Sequence, residues 1–251
     1  MMNDRDVFLE LREVSCEGNG RRWVDGISLA VARGAGVGVV GESGSGKSAV
    51  LKLFMGLIAP SGGRVVVDGV ALDAADFRAL QEWRRRAAWV PPEGGLVSNL
   101  TVFENVALPL RYHDAFPEAE VERRVGKELR RFAIEGAARL RPADLPPSER
   151  VRAGLARAFV TDPEALFLDE PFDRLSEAEQ EALLGVLIAA RTRGVTFVAA
   201  LRGAAHLTGG WLDRAVVLSG GRLEAEGSAE EVRRRLRQKT DVVFRKGREA
   251  T

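Results

Sequence analysis

A glycine-rich segment over residues 41–48 constrains the fold of this chain more than any other feature. It has the pattern G-x-x-x-x-G-K-S, follows the apolar run 37–40 and precedes an apolar, helix-forming segment. A strand, this loop and a helix in that order are the context of a phosphate-binding loop. The glycines let backbone N–H groups curl around phosphates, and the helix N-terminus adds partial positive charge. The predicted nucleotide-binding residues are Gly41, Glu42, Ser43, Gly44, Ser45, Gly46, Lys47, Ser48 and Ala49.

A second segment supplies the acidic partners of such a loop. Residues 165–168 are all apolar, which predicts a buried strand, and Asp169 and Glu170 follow at its end. Lys47 can contact terminal phosphates as a point charge, while Ser48 and Asp169 can hold Mg²⁺. Glu170 would lie near the γ-phosphate, where a carboxylate can polarise an attacking water. We therefore predict a nucleoside triphosphate site with Mg²⁺ and with Glu170 as its catalytic residue; the alternative is that both acids only cap a turn.

The order of the predicted elements indicates an α/β fold. Short apolar strands alternate with helices, which is typical of a mostly parallel sheet covered on both faces. Ligands of such sheets bind at the carboxyl ends of the strands. Residues 77–157 are mostly helical and arginine-rich, so we interpret about 93–158 as an inserted helical subdomain. We predict one domain over residues 1–238 and a basic, loose tail over residues 239–251.

The balance of charge limits the classes of partner. The chain has 37 basic and 36 acidic residues and a net charge of +1. This gives no electrostatic reason to expect nucleic acid as the main partner. No apolar run approaches the length needed to cross a bilayer, and the first residues have no apolar signal core. Work at a membrane would therefore depend on other chains.

Beyond the glycine loop, several short motifs have the order and spacing of ATP-binding-cassette (ABC) ATPase domains, which the sequence resembles from about residue 7 to 236. These motifs are Arg33-Gly34, Ala156-Arg157-Ala158, Asp169-Glu170-Pro171 and Ser219-Gly220-Gly221-Arg222-Leu223. The resemblance implies an ABC-type P-loop fold with an N-terminal antiparallel β subdomain beside the inserted helical one. It also implies ATP with Mg²⁺, and a head-to-tail dimer that holds each ATP between the P-loop of one chain and the signature motif of the other. The preference for ATP over GTP rests on the resemblance alone.

Residues 46–52 and 95–111 resemble, more specifically, the ATPases of MCE-type (Mla-like) lipid transporters. In that family the second stretch lies in the segment that faces the membrane partner. The resemblance implies integral membrane permease subunits as partners, together with an MCE-domain lipid-binding protein. It also implies a cytoplasmic location, peripheral on the inner face of the membrane through those subunits. A homodimer and a heterodimer with another ABC ATPase both stay open.

The sequence departs from the family at the signature motif, which contacts the partner's ATP. The usual L-S-G-G-Q is L-P-P-S-E at residues 145–149. Proline has no backbone N–H, so two donors to phosphate are absent. Pro146 and Pro147 nevertheless make a sound helix start, and Ser148 is a possible substitute donor.

The glutamine that follows the next core strand in the family, at the start of the Q-loop, is replaced by Pro92. Proline can neither ligate Mg²⁺ nor relay its presence through a side-chain amide. Glu93 stands beside it and has two interpretations. Either it reaches inward as a substitute, or it is an exposed loop carboxylate.

Three further family positions are altered. The switch histidine is Arg202, which cannot shuttle a proton; it either neutralises a γ-phosphate or forms a surface salt bridge. The D-loop aspartate is Ser176, which forms a capping box with Glu179 at the start of a helix. The adenine-stacking aromatic expected near residue 18 is Gly18, so Trp23 is either its substitute or a core or surface residue.

The retained residues all capture nucleotide within one chain, whereas the altered ones serve the dimer and the membrane partner. We therefore expect MgATP binding with slow or partner-dependent hydrolysis, as the ATP-binding subunit of a transporter. A first alternative is a hydrolysis-deficient regulatory or structural paralogue that pairs with a competent ATPase. A second is a soluble, non-transport ABC ATPase that acts on nucleic acid or ribosomes, against which the charge balance argues.

Overall fold

The computed structural model describes residues 7–18, 20–72, 76–112 and 116–248, the last ten as backbone only. Its strands are β1 (Val7–Gly18), β2 (Arg21–Ala32), β3 (Gly36–Val40), β4 (Gly62–Val67), β5 (Val70–Ala71), β6 (Ala87–Val90), β7 (Ala165–Asp169), β8 (Thr196–Leu201), β9 (Arg214–Ser219) and β10 (Arg222–Ser228). Strands β2, β1, β4 and β5 form an antiparallel sheet in that order. This confirms the N-terminal antiparallel β subdomain.

The remaining strands form the central sheet, in the order β10-β9-β3-β8-β7-β6. All neighbouring pairs in it are parallel except β10 with β9. The prediction of a mostly parallel central sheet is therefore confirmed. Residues 77–157 were expected to be mostly helical, and within them the structure has one strand, β6, which pairs with β7 from Ala87 to Val90. The strand is too short for a period-2 pattern to stand out, and only its place beside β7 determines its conformation.

The helices of the described residues pack around these sheets. They are α1 (Lys47–Phe54), α2 (Phe77–Arg86), α3 (Val102–Tyr112), α4 (Glu118–Arg131), α5 (Pro147–Phe159), α6 (Glu177–Arg191) and α7 (Ala229–Arg248). Helices α3, α4 and α5 lie within the predicted helical insertion. None of the described helices combines the length and the apolar composition needed to span a bilayer.

Helix α7 extends further than predicted. Its start is capped, because Ser228 N donates to Glu231 Oε2 (2.9 Å) and Glu231 N donates to Ser228 Oγ (3.2 Å). The backbone then stays helical to Arg248, through most of the segment predicted as a loose tail. Lysine and arginine, which make up four of the ten residues 239–248, are good helix formers. Parts of these predictions lie outside the described residues: residues 1–6 of the predicted domain, 113–115 of the insertion and 249–251 of the tail.

The central sheet is buried on both faces. Along β7, Leu166 and Leu168 pack into the hydrophobic cluster shared with the helical subdomain. Phe167 points the other way, into the cluster shared with α1 and the N-terminal sheet, where it stacks on Phe54 with ring centroids 5.9 Å apart. Both faces being covered explains why the strand is a continuous apolar run without polar alternation.

The parallel strands bring the predicted site residues to one edge of the sheet. Strand β3 ends in the glycine loop, β7 in Asp169, β8 just before Arg202, and β6 just before Pro91 and Pro92. Because β3 pairs with β8 and β8 pairs with β7, the loop and the acidic pair become near neighbours. The fold thus places the candidate residues at the carboxyl edge, where α/β sheets bind ligands.

A short 3₁₀ turn, Pro92–Gly95, joins this edge to the helical subdomain. It lies directly against α5: a Cβ added to Gly154 would come 2.5 Å from the Cα atom of Gly94, which leaves room only for glycine. Arg157, also on α5, donates from Nη2 to the carbonyls of Gly94 and Gly95, each at 2.9 Å. The turn is therefore fixed to the helix by backbone contact and by a half-buried guanidinium.

Candidate functional site

The glycine loop has the shape of an anion cradle. Gly44 and Gly46 have φ values of +79° and +106°, a region that favours glycine. A Cβ on Gly46 would lie 2.4 Å from the carbonyl oxygen of Trp23, so no larger residue fits. The buried hydroxyl of Ser45 has no hydrogen-bond partner among the described residues. No side chain caps the N-terminus of α1, so its first N–H groups are open to an anion.

Lys47 is buried at the first position of α1 and turns back over the loop. Its Nζ donates to the carbonyls of Gly41 (2.8 Å) and Glu42 (2.9 Å) and lies 3.6 Å from Glu170 Oε1. A buried ammonium held by neutral carbonyls and one carboxylate can exchange those partners for phosphate oxygens, which carry more charge. The position fits the predicted contact with terminal phosphates.

Ser48 and Asp169 meet as predicted. Ser48 Oγ donates to Asp169 Oδ1 at 3.0 Å, which links α1 to the end of β7. Burial raises the pKa of Asp169 above its ordinary value, by more than the hydrogen bond from Ser48 lowers it. Across the described residues, no group of three or more His, Cys, Asp or Glu side chains could hold a metal unaided. Mg²⁺ binds through one or two protein ligands plus phosphates and waters, so a hydroxyl and a carboxylate side by side fit it.

Glu170 is held in a left-handed conformation, with φ +52°. Its N–H donates to Ala200 O (3.0 Å), so the turn after β7 is tied to β8. Its Oε2 accepts from Arg202 Nε at 2.8 Å, and Arg202 Nη2 lies 2.6 Å away. Burial alone would raise the pKa of Glu170, but the hydrogen bond and charge of Arg202 and the charge of Lys47 bring it below its ordinary value.

A cleft of about 440 Å³ opens beside the loop. It is lined by Arg21, Trp23, Ser43, Gly44, Gly46, Lys47, Ser48, Ala49, Lys52, Ile58, Pro92, Glu170 and Arg202. Trp23 forms part of its wall, and the indole covers Gly18: a Cβ added to Gly18 would lie 2.7 Å from Trp23 Cη2. The indole thus occupies the space that a side chain at residue 18 would need. The described structure therefore places an aromatic ring in the cleft from β2.

Two lining or neighbouring residues were not identified from the sequence. Arg21 precedes Trp23 by two positions on β2, and its Nη2 donates to Gly44 O at 3.2 Å. The period of two along a strand puts both residues on one face, which was the available signal. Asp173 lies in the turn after β7, with Oδ2 at 2.8 Å from Arg202 Nε. Nothing in its spacing distinguished it from an ordinary turn residue.

The altered signature motif forms a helix start, as predicted. Helix α5 begins at Pro147 with Pro146 as its N-cap. The Ser148 side chain lies near the Glu179 carboxylate and, after the larger effect of Ser176, helps to hold the pKa of Glu179 below its ordinary value. Glu179 also accepts from the N–H and the hydroxyl of Ser176, each at 2.8 Å, in the predicted capping box. Ser148 and Ser176 thus share one carboxylate, which ties the start of α5 to the start of α6.

Pro92 and Glu93 separate in the structure. Pro92 lines the cleft, but Glu93 is half exposed and pairs with Arg174 (Nη2 to Oε1, 2.9 Å). Its left-handed φ of +60° turns the side chain out of the wall. The interpretation that Glu93 reaches inward was wrong, and it is an exposed loop carboxylate.

Comparisons with known proteins agree with this geometry. The sequence model of the family described as "ABC transporter" matches residues 24–173. The methionine import ATP-binding protein MetN of Caulobacter vibrioides is 35% identical over 227 residues, which are 90% of this chain and 68% of that protein. The intermembrane phospholipid transport system ATP-binding protein MlaF of Escherichia coli K12 is 35% identical over 181 residues, or 72% of this chain and 66% of that protein.

The chain therefore spans about two thirds of the length of these two relatives. Among solved structures, a dimeric ATP-binding cassette in a post-hydrolysis state with ADP and Pi matches with a TM-score of 0.80. It is 25% identical, and the match covers 88% of this chain and 98% of that one. The likeness in fold thus extends over nearly the whole cassette.

Proposed function

Because this chain belongs to the ABC transporter family of ATP-binding domains, we propose that it binds ATP with Mg²⁺ and powers or regulates transport through separate membrane subunits. The observation that carries the proposal is the glycine loop at the carboxyl edge of the sheet. There the unpartnered Ser45 hydroxyl, the buried Lys47 and the Ser48–Asp169 pair lie together.

Each residue of the site has a part in this proposal. Lys47 and the first N–H groups of α1 bind the phosphates, and Ser48 with Asp169 holds the metal ion. When bound, Mg²⁺ offsets phosphate charge and orients the terminal phosphate. Glu170 accepts a proton from the attacking water at a carboxylate oxygen. Residues 41–49 also include the outer loop positions Glu42 and Ser43, whose backbone follows the phosphates.

A groove of about 350 Å³ on the helical subdomain supports membrane subunits as partners. It is lined in part by Trp89, Leu108, Tyr112 and Arg157, and Tyr112 is 68% exposed. Trp89 Nε1 is buried and has no hydrogen-bond acceptor in the described part of the chain. An apolar groove with one orphan donor fits a short helical segment that brings an acceptor. A chain held in this way would be cytoplasmic and peripheral on the inner face of the membrane.

We further propose that the transported substrate is a lipid of the MCE/Mla type, with an MCE-domain protein in the assembly. Support comes from the relative named for intermembrane phospholipid transport and from residues 46–52 and 95–111. Methionine is the rival substrate, because another relative is named for methionine import. Substrate-dependent stimulation of turnover by phospholipid or by methionine, measured in vesicles with the membrane subunits, separates them.

The altered dimer-facing positions favour slow turnover by the chain alone. Pro146 and Pro147 cannot donate N–H groups to a partner's phosphate, and the Ser148 side chain lies near Glu179. A dimer with a competent ABC ATPase would supply an intact signature motif to the site described here. This supports a regulatory or structural role in a heterodimer as the second candidate; a homodimer would hold two altered signatures.

Turnover measured with and without the membrane subunits tests the proposed function. We expect phosphate release below about 0.1 s⁻¹ for the purified chain, against about 1–10 s⁻¹ for ordinary enzymes. Reconstitution with the membrane subunits and any second ATPase of the complex is expected to raise the rate of phosphate release at least about tenfold. Release at about 1–10 s⁻¹ by the chain alone would contradict the dependence on a partner. Absence of MgATP binding would contradict the function itself.

Trp23 is expected to stack on the base of the nucleotide. Stacking of a base on an aromatic ring contributes about 1–3 kcal/mol, so Trp23→Leu should weaken ATP binding by about 5- to 150-fold. Trp23→Phe should recover most of the loss. Calorimetric titration with ATP and with inorganic tripolyphosphate provides the control, because tripolyphosphate has no base. Equal losses for both ligands would show that Trp23 supports the loop and does not contact the base.

A further inference from the structure

Arg202 lies between two carboxylates at the edge of the cleft. Its guanidinium contacts Glu170 Oε2 through Nη2 (2.6 Å) and Nε (2.8 Å), and Nε is also 2.8 Å from Asp173 Oδ2. Asp173 is in turn within hydrogen-bond reach of Glu170. One cation therefore holds the two acids of the turn that follows β7.

Glu170 is consequently surrounded by cations that also face the phosphate loop. Arg202 holds one carboxylate oxygen and Lys47 Nζ lies 3.6 Å from the other. Two cations beside a carboxylate stabilise its ionised form and make it a weaker base towards water. Both cations line the cleft together with Ser43 and Gly44 of the loop.

The backbone before Arg202 is tied to the glycine loop, whereas the Arg202 side chain is largely exposed. Gly41 N donates to Leu201 O at 3.3 Å, which ties the residue before Arg202 to the loop. The side chain of Arg202 is 64% exposed, whereas that of Glu170 is only 13% exposed. The long guanidinium arm can thus change partners without a change in fold.

A terminal phosphate is a stronger partner for Arg202 than the carboxylates. The Arg202 side chain is largely exposed, so water partly screens its ion pairs with Glu170 and Asp173. A phosphate with more than one negative charge accepts two parallel N–H donors from a guanidinium. Exchange from carboxylate to phosphate is therefore favourable when a third phosphate lies at the end of the loop.

We propose that Arg202 is an exchangeable counter-ion that leaves Glu170 and Asp173 for the terminal phosphate of a nucleoside triphosphate. The inference rests on the nucleotide site proposed above and deepens it. Arg202 thereby makes the release of Glu170 conditional on a triphosphate, because a diphosphate offers no third phosphate to take the cation. Arg202 is thus both a contact that distinguishes triphosphate from diphosphate and the positioning residue of Glu170.

A double-substitution cycle on nucleotide affinity tests the exchange. We would measure Kd for MgADP and for the Mg²⁺ complex of a β,γ-imido analogue of ATP with the full chain and with Arg202→Ala, Glu170→Gln and the double variant. Arg202→Ala is expected to lower the preference for the triphosphate by about 5- to 20-fold. The effect should be at least as large in the Glu170→Gln background, where the carboxylate no longer competes. The triphosphate preference of Arg202→Lys should lie between those of the unsubstituted chain and Arg202→Ala. Lysine keeps the positive charge but lacks the two parallel N–H donors of the guanidinium.

The rival is a static clamp, in which Arg202 only offsets the charge of Glu170. In that case the effect of Arg202→Ala falls below about twofold once Glu170 is glutamine, and the exchange is overturned. Arg123, which is also 64% exposed and paired with a glutamate, gives the matched control: Arg123→Ala should change neither Kd. Failure of the unsubstituted chain to bind either nucleotide overturns the proposed site and the exchange with it. If the unsubstituted chain binds both nucleotides but the double-substitution cycle does not give the expected result, only the exchange is overturned.

Discussion

Replacing Lys47 with alanine is expected to weaken MgATP binding by at least about 100-fold, because charge-assisted bonds to phosphate each contribute about 1.5–3 kcal/mol. In the structure the ammonium is buried and bonded to Gly41 O and Glu42 O (2.8 and 2.9 Å). No other lysine or arginine among the described residues lies within the loop itself. Calorimetric titration with MgATP measures the loss.

Two controls separate binding from folding. Lys47→Met keeps most of the buried volume and removes the charge, so it should lose binding to the same degree while its thermal midpoint stays close to that of the unsubstituted chain. Lys127→Ala removes a lysine that is 60% exposed on α4 and should leave Kd unchanged. Retention of tight binding by Lys47→Met would contradict the part given to the charge.

Glu170→Gln is the second variant with a large expected effect. An amide cannot accept a proton from water, and general base catalysis contributes about 10²- to 10⁴-fold to rate. We expect phosphate release in the reconstituted complex to fall by that factor while MgATP binding persists. The glutamine nearly matches glutamate in volume, so the left-handed turn and its bond to Ala200 O should survive.

The measurement is single-turnover release of phosphate, which separates chemistry from product release. Glu122→Gln, an exposed position on α4, should release phosphate at the unsubstituted rate. A fall of less than about tenfold for Glu170→Gln would assign the base to another group. Unchanged hydrolysis with Glu170→Gln but loss with Asp173→Asn would identify Asp173 as that group.

Local sequence patterns predict the backbone geometry of the glycine loop. Asp169 is 121 residues from Ser48 and reaches it only through the pairing of β3 with β8 and of β8 with β7. The glycine loop and Ser48 instead follow from a strand, a turn and a helix that are adjacent in sequence. The Ser176–Glu179 capping box likewise joins two residues that are only three positions apart in the sequence. These features depend on backbone geometry that one segment determines by itself.

What the sequence could not predict depends on strand neighbours. Arg202 is 32 residues from Glu170, and the contact exists only because β7 and β8 are paired. Strand β6 is defined by its pairing with β7, and the indole of Trp23 lies over Gly18 through the β1–β2 register. Glu93 failed as an inward ligand because of a left-handed turn that no local propensity indicates for glutamate.

The contact between Gly94 and Gly154 has a mechanical consequence. Proline rings at residues 91 and 92 lock two backbone torsions, and the two glycine backbones meet with no side chain between them to compress. Because the two backbones are in direct contact, a displacement of α5 would displace Pro92 in the cleft wall as well. A displacement of the helical subdomain would then shift Pro92 directly. The side-chain amide of the family's glutamine would not be needed to sense the metal ion. In this chain, the membrane-facing helical subdomain would be coupled to the nucleotide cleft by direct displacement of the backbone.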